Sequence, residues 1–236
     1  MKLSQRMEAV CKLLTGGNIL ADVGCDHGYV AIAMVEREIC PSAIAMDIRP
    51  GPLAQAASNI ADRGLTDKIE TRLSDGVKAL QPKEAQSIVI AGMGGDLVVH
   101  ILSEGKEVCR KAKELILQPQ SEIQKVRQYL WQENYEITKE DMVLEEGKYY
   151  PMMRVVPVSQ KPIKPKPYEM EYGAYLLSQK NPVLLQYLQK EQQTLCRIEN
   201  NLKAQNQTEA ISTRLTQVRQ KLNQNKEAQM IYADIE

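Results

Sequence analysis

The stretch Leu20-Ala-Asp-Val-Gly-Cys-Asp-His-Gly28 concentrates more chemistry than any other part of the chain. A short apolar run delivers Asp22, and Gly24 and Gly28 then open a turn, with Cys25 and His27 inside it. Glycines at a strand end let the backbone approach a bulky ligand where a Cβ collides with it. The spacing D-x-G-x-x-x-G differs from the G-x-G-x-x-G that cradles a pyrophosphate. It favours a ligand with no phosphate at the turn, such as S-adenosylmethionine, which carries a charged amino acid and a sulfonium there. Asp47, followed by Ile48, closes the next β-rich run, where a carboxylate accepts hydrogen bonds from both ribose hydroxyls. Ser74-Asp75-Gly76 closes the third run, where an aspartate meets an adenine amino group. Singly, each acid also fits a solvated strand end or a turn. Three at consecutive strand ends form a nucleoside-recognition set.

The fourth run, Ile88-Val-Ile-Ala-Gly-Met-Gly-Gly95, places three glycines within four residues. That density implies close approach by a ligand or substrate. Ala91, Gly92 and Gly94 join the expected cofactor set, and Gly94 and Gly95 face the substrate. Met93 sits at the mouth of the site. The Asn/Asp-Pro-Pro-Tyr run of many adenine-N6 methyltransferases is absent here, which argues against an exocyclic amine as target.

These residues need a scaffold that brings strand ends together. Met7, Val10, Cys11 and Leu14 follow helical spacing after Ser4, a plausible N-cap, and Gly16-Gly17 stops that helix. Strands are expected at 18–23, 42–48, 69–74, 87–91 and 114–117, with helices at 29–38, 53–63, 97–111 and 121–134 between them. The runs 136–144 and 149–158 lack an intervening helix and meet at Glu146-Gly147, so they should pair as a hairpin. Strand-helix alternation implies parallel strands with helices on both faces. The closing hairpin makes the sheet mixed. The pattern therefore predicts an α/β fold: a class I, Rossmann-like methyltransferase domain with a seven-stranded mixed sheet over residues 1–158.

Composition then shifts. Pro157, Pro162, Pro165 and Pro167 alternate with Lys161, Lys164 and Lys166, which reads as a stiff linker over 159–168. Residues 169–236 read as a helical coiled-coil domain. Leu184, Leu188, Glu191, Leu195, Ile198 and Leu202 alternate spacings of four and three, and Ile211, Leu215, Val218 and Leu222 repeat them after the polar stretch 205–208. An antiparallel hairpin burying both seams is one solution, and dimerisation through the seam is the other.

The 236 residues carry 30 basic and 30 acidic side chains, and residues 159–236 hold 11 basic against 8 acidic. A binder relying on phosphate neutralisation alone would be more basic. No apolar run approaches the roughly 20 residues of a membrane span, and the first 14 residues lack the unbroken apolar stretch of a secretory signal. Five cysteines without a CxxC pair and only two histidines fit no familiar zinc framework and favour a reducing cytoplasm.

Leu3-Ser-Gln-Arg6, Asp22-Val-Gly-Cys-Asp-His27, Ile90-Ala-Gly-Met-Gly-Gly95, Leu115-Ile-Leu-Gln-Pro119 and Leu144-Glu-Glu-Gly-Lys-Tyr-Tyr150 occur in this order. Together they resemble the bacterial TrmK family of tRNA N1-methyltransferases, over Leu3 to about Val156. Two departures stand out: Asp47 where members often carry Glu, and Gln118-Pro119-Gln120 where they tend to read Q-P-N.

The resemblance implies S-adenosylmethionine as cofactor and N1 of adenine 22 in tRNA as methyl acceptor, with no metal. N1 already bears an in-plane lone pair, so no nucleophile is needed, and orientation carries the rate. Asp26, which either takes the departing N6 proton or only fixes the turn, and Met93 form the catalytic set. Arg6 faces the cofactor carboxylate or an RNA phosphate. His27 either meets the methionine part or is structural. Gln118, Pro119, Tyr149 and Tyr150 join the substrate set, one tyrosine packing and the other stacking on the base. The linker lysines and hairpin cations either grip the tRNA backbone or are solvated, and Trp131 is expected in the core. The chain is expected to be a monomer or a weak dimer through its C-terminal helices. A small-molecule methyltransferase shares the cofactor features, and a non-enzymatic RNA-binding or coiled-coil adaptor is the rival of another class.

Overall fold

A computed structural model describes residues 2–206 and 208–233. Gln207 of the polar stretch, and the ends of the expected 1–158 and 169–236 segments at Met1 and at 234–236, lie outside the described residues. The chain divides into two compact units, Met1–Ile163 and Lys164–Glu236.

The first unit opens with α1 (Gln5–Leu13), whose N-cap Ser4 accepts from the Met7 N–H at 3.2 Å. Alternation then follows: β1 (Leu20–Val23), α2 (Tyr29–Glu36), β2 (Ala43–Asp47), α3 (Pro50–Ala61), β3 (Ile69–Leu73) and β4 (Ser87–Met93). After these come α4 (Gly95–Glu104), α5 (Lys106–Lys111), β5 (Glu114–Pro119), α6 (Ile123–Gln132), β6 (Tyr135–Glu145) and β7 (Lys148–Pro157). The seven strands form one sheet in the order β3-β2-β1-β4-β5-β7-β6. The first five are parallel, and β7 runs antiparallel to both β5 and β6. Glu146 and Gly147 both adopt left-handed backbone (φ 50° and 76°), as a two-residue hairpin turn demands.

Period-two alternation in the central strands serves two cores. Ile88, Ile90, Leu115 and Leu117 belong to one buried cluster, while Val89 and Ile116 belong to the cluster on the opposite face. That double burial is why β2 and β5 contain the apolar runs 43–46 and 115–117, while β1 is apolar apart from Asp22. The strand order reverses between β1 and β4, which opens a crevice at their carboxyl ends.

Three expectations about elements change. The helix expected over 97–111 is two helices broken at Gly105, where a Cβ would run into the Val77 side chain. Trp131 is only half-buried: its Nε1 donates to the Pro162 carbonyl at 3.1 Å, and Lys161 lies 4.1 Å over its ring. Lys161 is thereby docked on α6. The linker also ends earlier than expected, since Pro167 opens a helix, a position suited to a residue without an N–H.

The second unit contains α7 (Pro167–Tyr172), α8 (Ala174–Ser178), α9 (Pro182–Lys203) and α10 (Glu209–Ala233). The two short helices carry too few residues to show a period, and the sequence reading did not anticipate them. Within this unit α9 and α10 pack antiparallel, burying Leu188, Leu195, Val218 and Leu222. The polar seam position, Glu191, accepts hydrogen bonds from the Tyr172 and Tyr187 hydroxyls and from Asn225 Nδ2 at 2.7, 3.0 and 2.9 Å. Among the described residues no helix is long and apolar enough to cross a membrane.

Candidate active site

A cavity of about 440 Å³ occupies the crevice, within the size range of small-molecule sites. Residues 22–26 from the end of β1 and the turn after it, 47–49 from the end of β2 onward, 74–76 after β3 and 91–93 at the end of β4 line it, with Arg6 from α1. Parallel strands starting at one edge must end at the other, so four strand ends converge without further design. Asp22, Asp47 and Asp75 share this one cavity.

Their environments differ sharply. Asp22 is 4% exposed, and its Oδ2 has no hydrogen-bond partner. Burial raises its pKa to about 7, against the Ala31 backbone hydrogen bond, and the Asp47 charge adds to the rise. Asp47 is equally buried but satisfied: Oδ1 accepts from the Arg49 N–H at 2.9 Å and Oδ2 from the Asp26 N–H at 3.4 Å. Asp75 is exposed, and Lys78 lies 2.6 Å from it, a hydrogen bond that holds its pKa below the usual carboxylate range. Ser74 uses its hydroxyl on the turn itself, donating to the Gly76 carbonyl and accepting from the Ala79 N–H. Burial pushes the Cys25 thiol pKa well upward, so it stays neutral and is no nucleophile.

Gly24 has φ 69°, and a Cβ on it would strike Met93 Cε, so the Met93 thioether lies directly on the turn. Asp26 also adopts left-handed backbone (φ 51°) with its carboxylate exposed at the mouth. Ile48 (60% exposed) and Leu97 (46%) present bare apolar surface to the cavity.

Eight expected site residues stand outside the lining. The His27 ring stacks on Tyr29 at 5.2 Å, and its carbonyl accepts from Asn59. Gly28 starts α2 in left-handed backbone, and a Cβ there would press on Ala56. Gly94 and Gly95 are small because the chain at 121–122 lies against them: a Cβ on Gly95 would meet the Ser121 carbonyl, and one on Gly94 the Ser121 hydroxyl. The closeness of that loop is by itself enough to require small residues at both positions. Gln118 and Pro119 are buried within β5. Gln118 Oε1 accepts from Arg6 Nη1 at 3.0 Å and from the Gly92 N–H at 3.1 Å. Tyr150 packs with the α1–α3 core, with the Arg6 guanidinium 5.6 Å over its ring, and Tyr149 lies beside it on β7 outside the cavity.

Sequence reasoning passed over Met7, Val10, Tyr29, Val30, Arg49, Leu97, Ile101 and Gln120, all of which line the cavity. Tyr29 and Arg49 carried a signal, since each lies within two residues of a strand-end turn already singled out. For Met7 and Val10 only the packing of α1 decides.

A family model described as tRNA (adenine(22)-N(1))-methyltransferase, TrmK, matches residues 20–227. The Bacillus subtilis (strain 168) tRNA (adenine(22)-N(1))-methyltransferase is 33% identical over 200 residues, which cover 82% of each chain. Two solved structures superpose closely. Streptococcus pneumoniae Sp1610 in complex with S-adenosyl-L-methionine has a TM-score of 0.85 at 32% identity, covering 96% of this chain and 99% of that one. M. capricolum TrmK in complex with S-adenosyl-homocysteine has a TM-score of 0.84 at 26% identity, covering 98% and 99%.

Proposed function

The chain belongs to the TrmK family of tRNA (adenine(22)-N(1))-methyltransferases, and from that premise we propose that it methylates N1 of adenine 22 in tRNA within the cavity at the sheet's carboxyl edge. The observation that carries this reading is the unpartnered Asp22 Oδ2. A buried carboxylate oxygen without a donor is costly to the free protein and complementary to a cation, which the amino-acid end of S-adenosylmethionine provides. The cavity volume, the Gly24 turn and the apolar faces of Ile48 and Leu97 fit the same nucleoside. When bound, that cofactor supplies a methyl group on positive sulfur, and the adenine N1 lone pair is its acceptor.

The residues of the chain hold and orient. Asp22 holds the cationic end, Asp47 the ribose hydroxyls and Asp75 the adenine amino group, with Ile48 and Leu97 against the purine faces. Arg6 faces an anionic group of the ligand. Met93, lying on the Gly24 turn, shapes the wall where the methyl is delivered. N1 needs no base, so no residue removes a proton before transfer. Asp26, exposed at the mouth, offers a negative charge to the cationic adenine that methylation leaves. Because N1 is engaged by pairing in folded tRNA, the target adenine enters unstacked. Lys164, Lys166 and the cations of α9 and α10 supply backbone contacts, and the chain acts in the cytoplasm as a monomer whose own hairpin closes its apolar seam. In this reading residues 1–158 carry the chemistry, 159–166 link, and the helices from Pro167 onward bind RNA.

Methyl transfer to an unmodified tRNA transcript, followed by nucleoside mass spectrometry, tests the proposal. The expected product is 1-methyladenosine, lost when adenine 22 is replaced. N6-methyladenosine, or no labelled nucleoside, would overturn it.

A further inference from the structure

Gln118 stands directly behind the cavity lining, bonded to Arg6 and to Gly92. Its side chain is fully buried, 0% exposed. Gly92 is the residue at which the β4–β5 register slips, between Ala91 and Met93, and it adopts left-handed backbone at φ 77°. A slipped residue loses its ladder partner, and here the Gly92 N–H finds Gln118 Oε1 at 3.1 Å. The same oxygen accepts from Arg6 Nη1 at 3.0 Å, while Nε2 donates to the Pro119 carbonyl at 3.3 Å. One side chain therefore satisfies the orphaned N–H of the slip and fixes the guanidinium at the cavity wall.

What holds Arg6 is electrically neutral: an amide oxygen, and the face of Tyr150 at 5.6 Å. Other arginines of this unit are held by carboxylate, as Arg127 is by Glu140 at 2.8 Å and Arg72 by Glu70 and Glu84, whereas Arg110, which does not line the cavity, is held by the Glu133 and Val158 carbonyls. A carboxylate cancels the charge where it stands. An amide orients the guanidinium and leaves its charge available to an anion in the cavity.

We infer that Gln118 is a positioning residue that presents Arg6, oriented but not neutralised, to an anionic group of the bound ligand. This rests on the function proposed above. The anion is a carboxylate of the cofactor's amino-acid end or a phosphate of the RNA, and the two are separable.

The test is Gln118→Glu, which keeps the shape and the acceptor oxygen but pairs Arg6 with a charge. Calorimetry with S-adenosylhomocysteine, and with 5′-methylthioadenosine, which lacks the amino-acid end, is read beside KM for tRNA and the melting temperature. For a carboxylate anion, the Kd for S-adenosylhomocysteine rises about tenfold or more, the worth of one charge-assisted hydrogen bond, while that for methylthioadenosine holds. For a phosphate, both Kd values hold and KM for tRNA rises by a similar factor at unchanged kcat. Unchanged constants throughout overturn the inference. So does equal weakening of both nucleosides with a lowered melting temperature, which is a purely structural role. Arg6→Met provides a second check: in that background Gln118→Glu should have no further effect on S-adenosylhomocysteine, and a full additional loss rejects action through Arg6. Failure of the wild-type protein to bind either nucleoside would instead reject the underlying functional reading.

Discussion

Asp22 and Glu114 are carboxylates buried in the same sheet, 4% and 1% exposed, one near its carboxyl edge and one at its amino edge. Glu114 accepts from the Thr15 N–H and hydroxyl, the Ser87 hydroxyl and Arg154 Nε, at 2.8, 2.7, 2.7 and 2.5 Å. Burial alone would raise its pKa, but the hydrogen bonds from Ser87, Thr15 and Arg154 outweigh burial and hold it below the ordinary value. It ties the end of α1 to β4, β5 and β7. Asp22 keeps one oxygen without a donor, and its pKa is pushed up to about 7. Equal burial thus has opposite meanings. A satisfied carboxylate is part of the framework, and an unsatisfied one marks where the framework ends and a ligand completes it.

The sharpest way to break this contrast is to remove each acid. Glu114→Ala should lower the unfolding free energy by about 3–5 kcal/mol, because it strands buried donors and an arginine. Urea denaturation reads this, and cofactor affinity of the folded protein should hold. Asp22→Asn should do the reverse. Cofactor binding by calorimetry should weaken by about 2–5 kcal/mol, the cost of deleting one partner of a buried charge pair, with the ligand-free melting temperature unchanged or higher. A stability loss at Asp22 as large as that at Glu114 would dissolve the distinction.

Titration sharpens it further. The folded pKa of Asp22 lies above its unfolded value, so its contribution to ligand-free stability is full below about pH 4 and disappears as pH rises through about 7. Glu114, with a lowered folded pKa, contributes above its unfolded value and loses that contribution as pH falls through the folded one. Melting curves of wild type and Asp22→Asn should therefore diverge between about pH 4 and 7 and run parallel outside it. Cofactor affinity of the wild type should rise through about pH 7 as Asp22 ionises, and the asparagine variant should lack that slope.

A smaller effect is expected at Gly95→Ala, about 1–3 kcal/mol of stability from forcing a methyl against the Ser121 carbonyl. Cofactor affinity should not change, since this glycine faces the loop at 121–122. The smallest belongs to Lys78→Ala, which frees the exposed Asp75 from its surface partner. Its cofactor Kd should move by less than about threefold.

Much of the fold was legible because its signals are local or periodic. Double-sided burial wrote itself as apolar runs within β2, β4 and β5, and the Glu146-Gly147 turn announced the hairpin. The need for a glycine at position 105 was illegible, since the side chain that a Cβ there would strike is Val77, 28 residues away in sequence. The same holds in the site. Residues at strand-end turns were recoverable by position, whereas Met7 and Val10 reach the cavity only through the docking of α1. The loop against Gly94 and Gly95 was illegible for the same reason: a glycine reports that something lies close, not what it is.

Residue order alone determined the alternation of strands and helices, the three acids at successive strand ends and the seam spacing of the C-terminal helices, because backbone geometry and side-chain period act between near neighbours. The tertiary structure decided which buried carboxylate keeps an oxygen without a donor, and that Gln118 stands behind Arg6. Those outcomes depend on partners distant in the chain, and desolvation and hydrogen bonding are settled only when the sheet has brought them together.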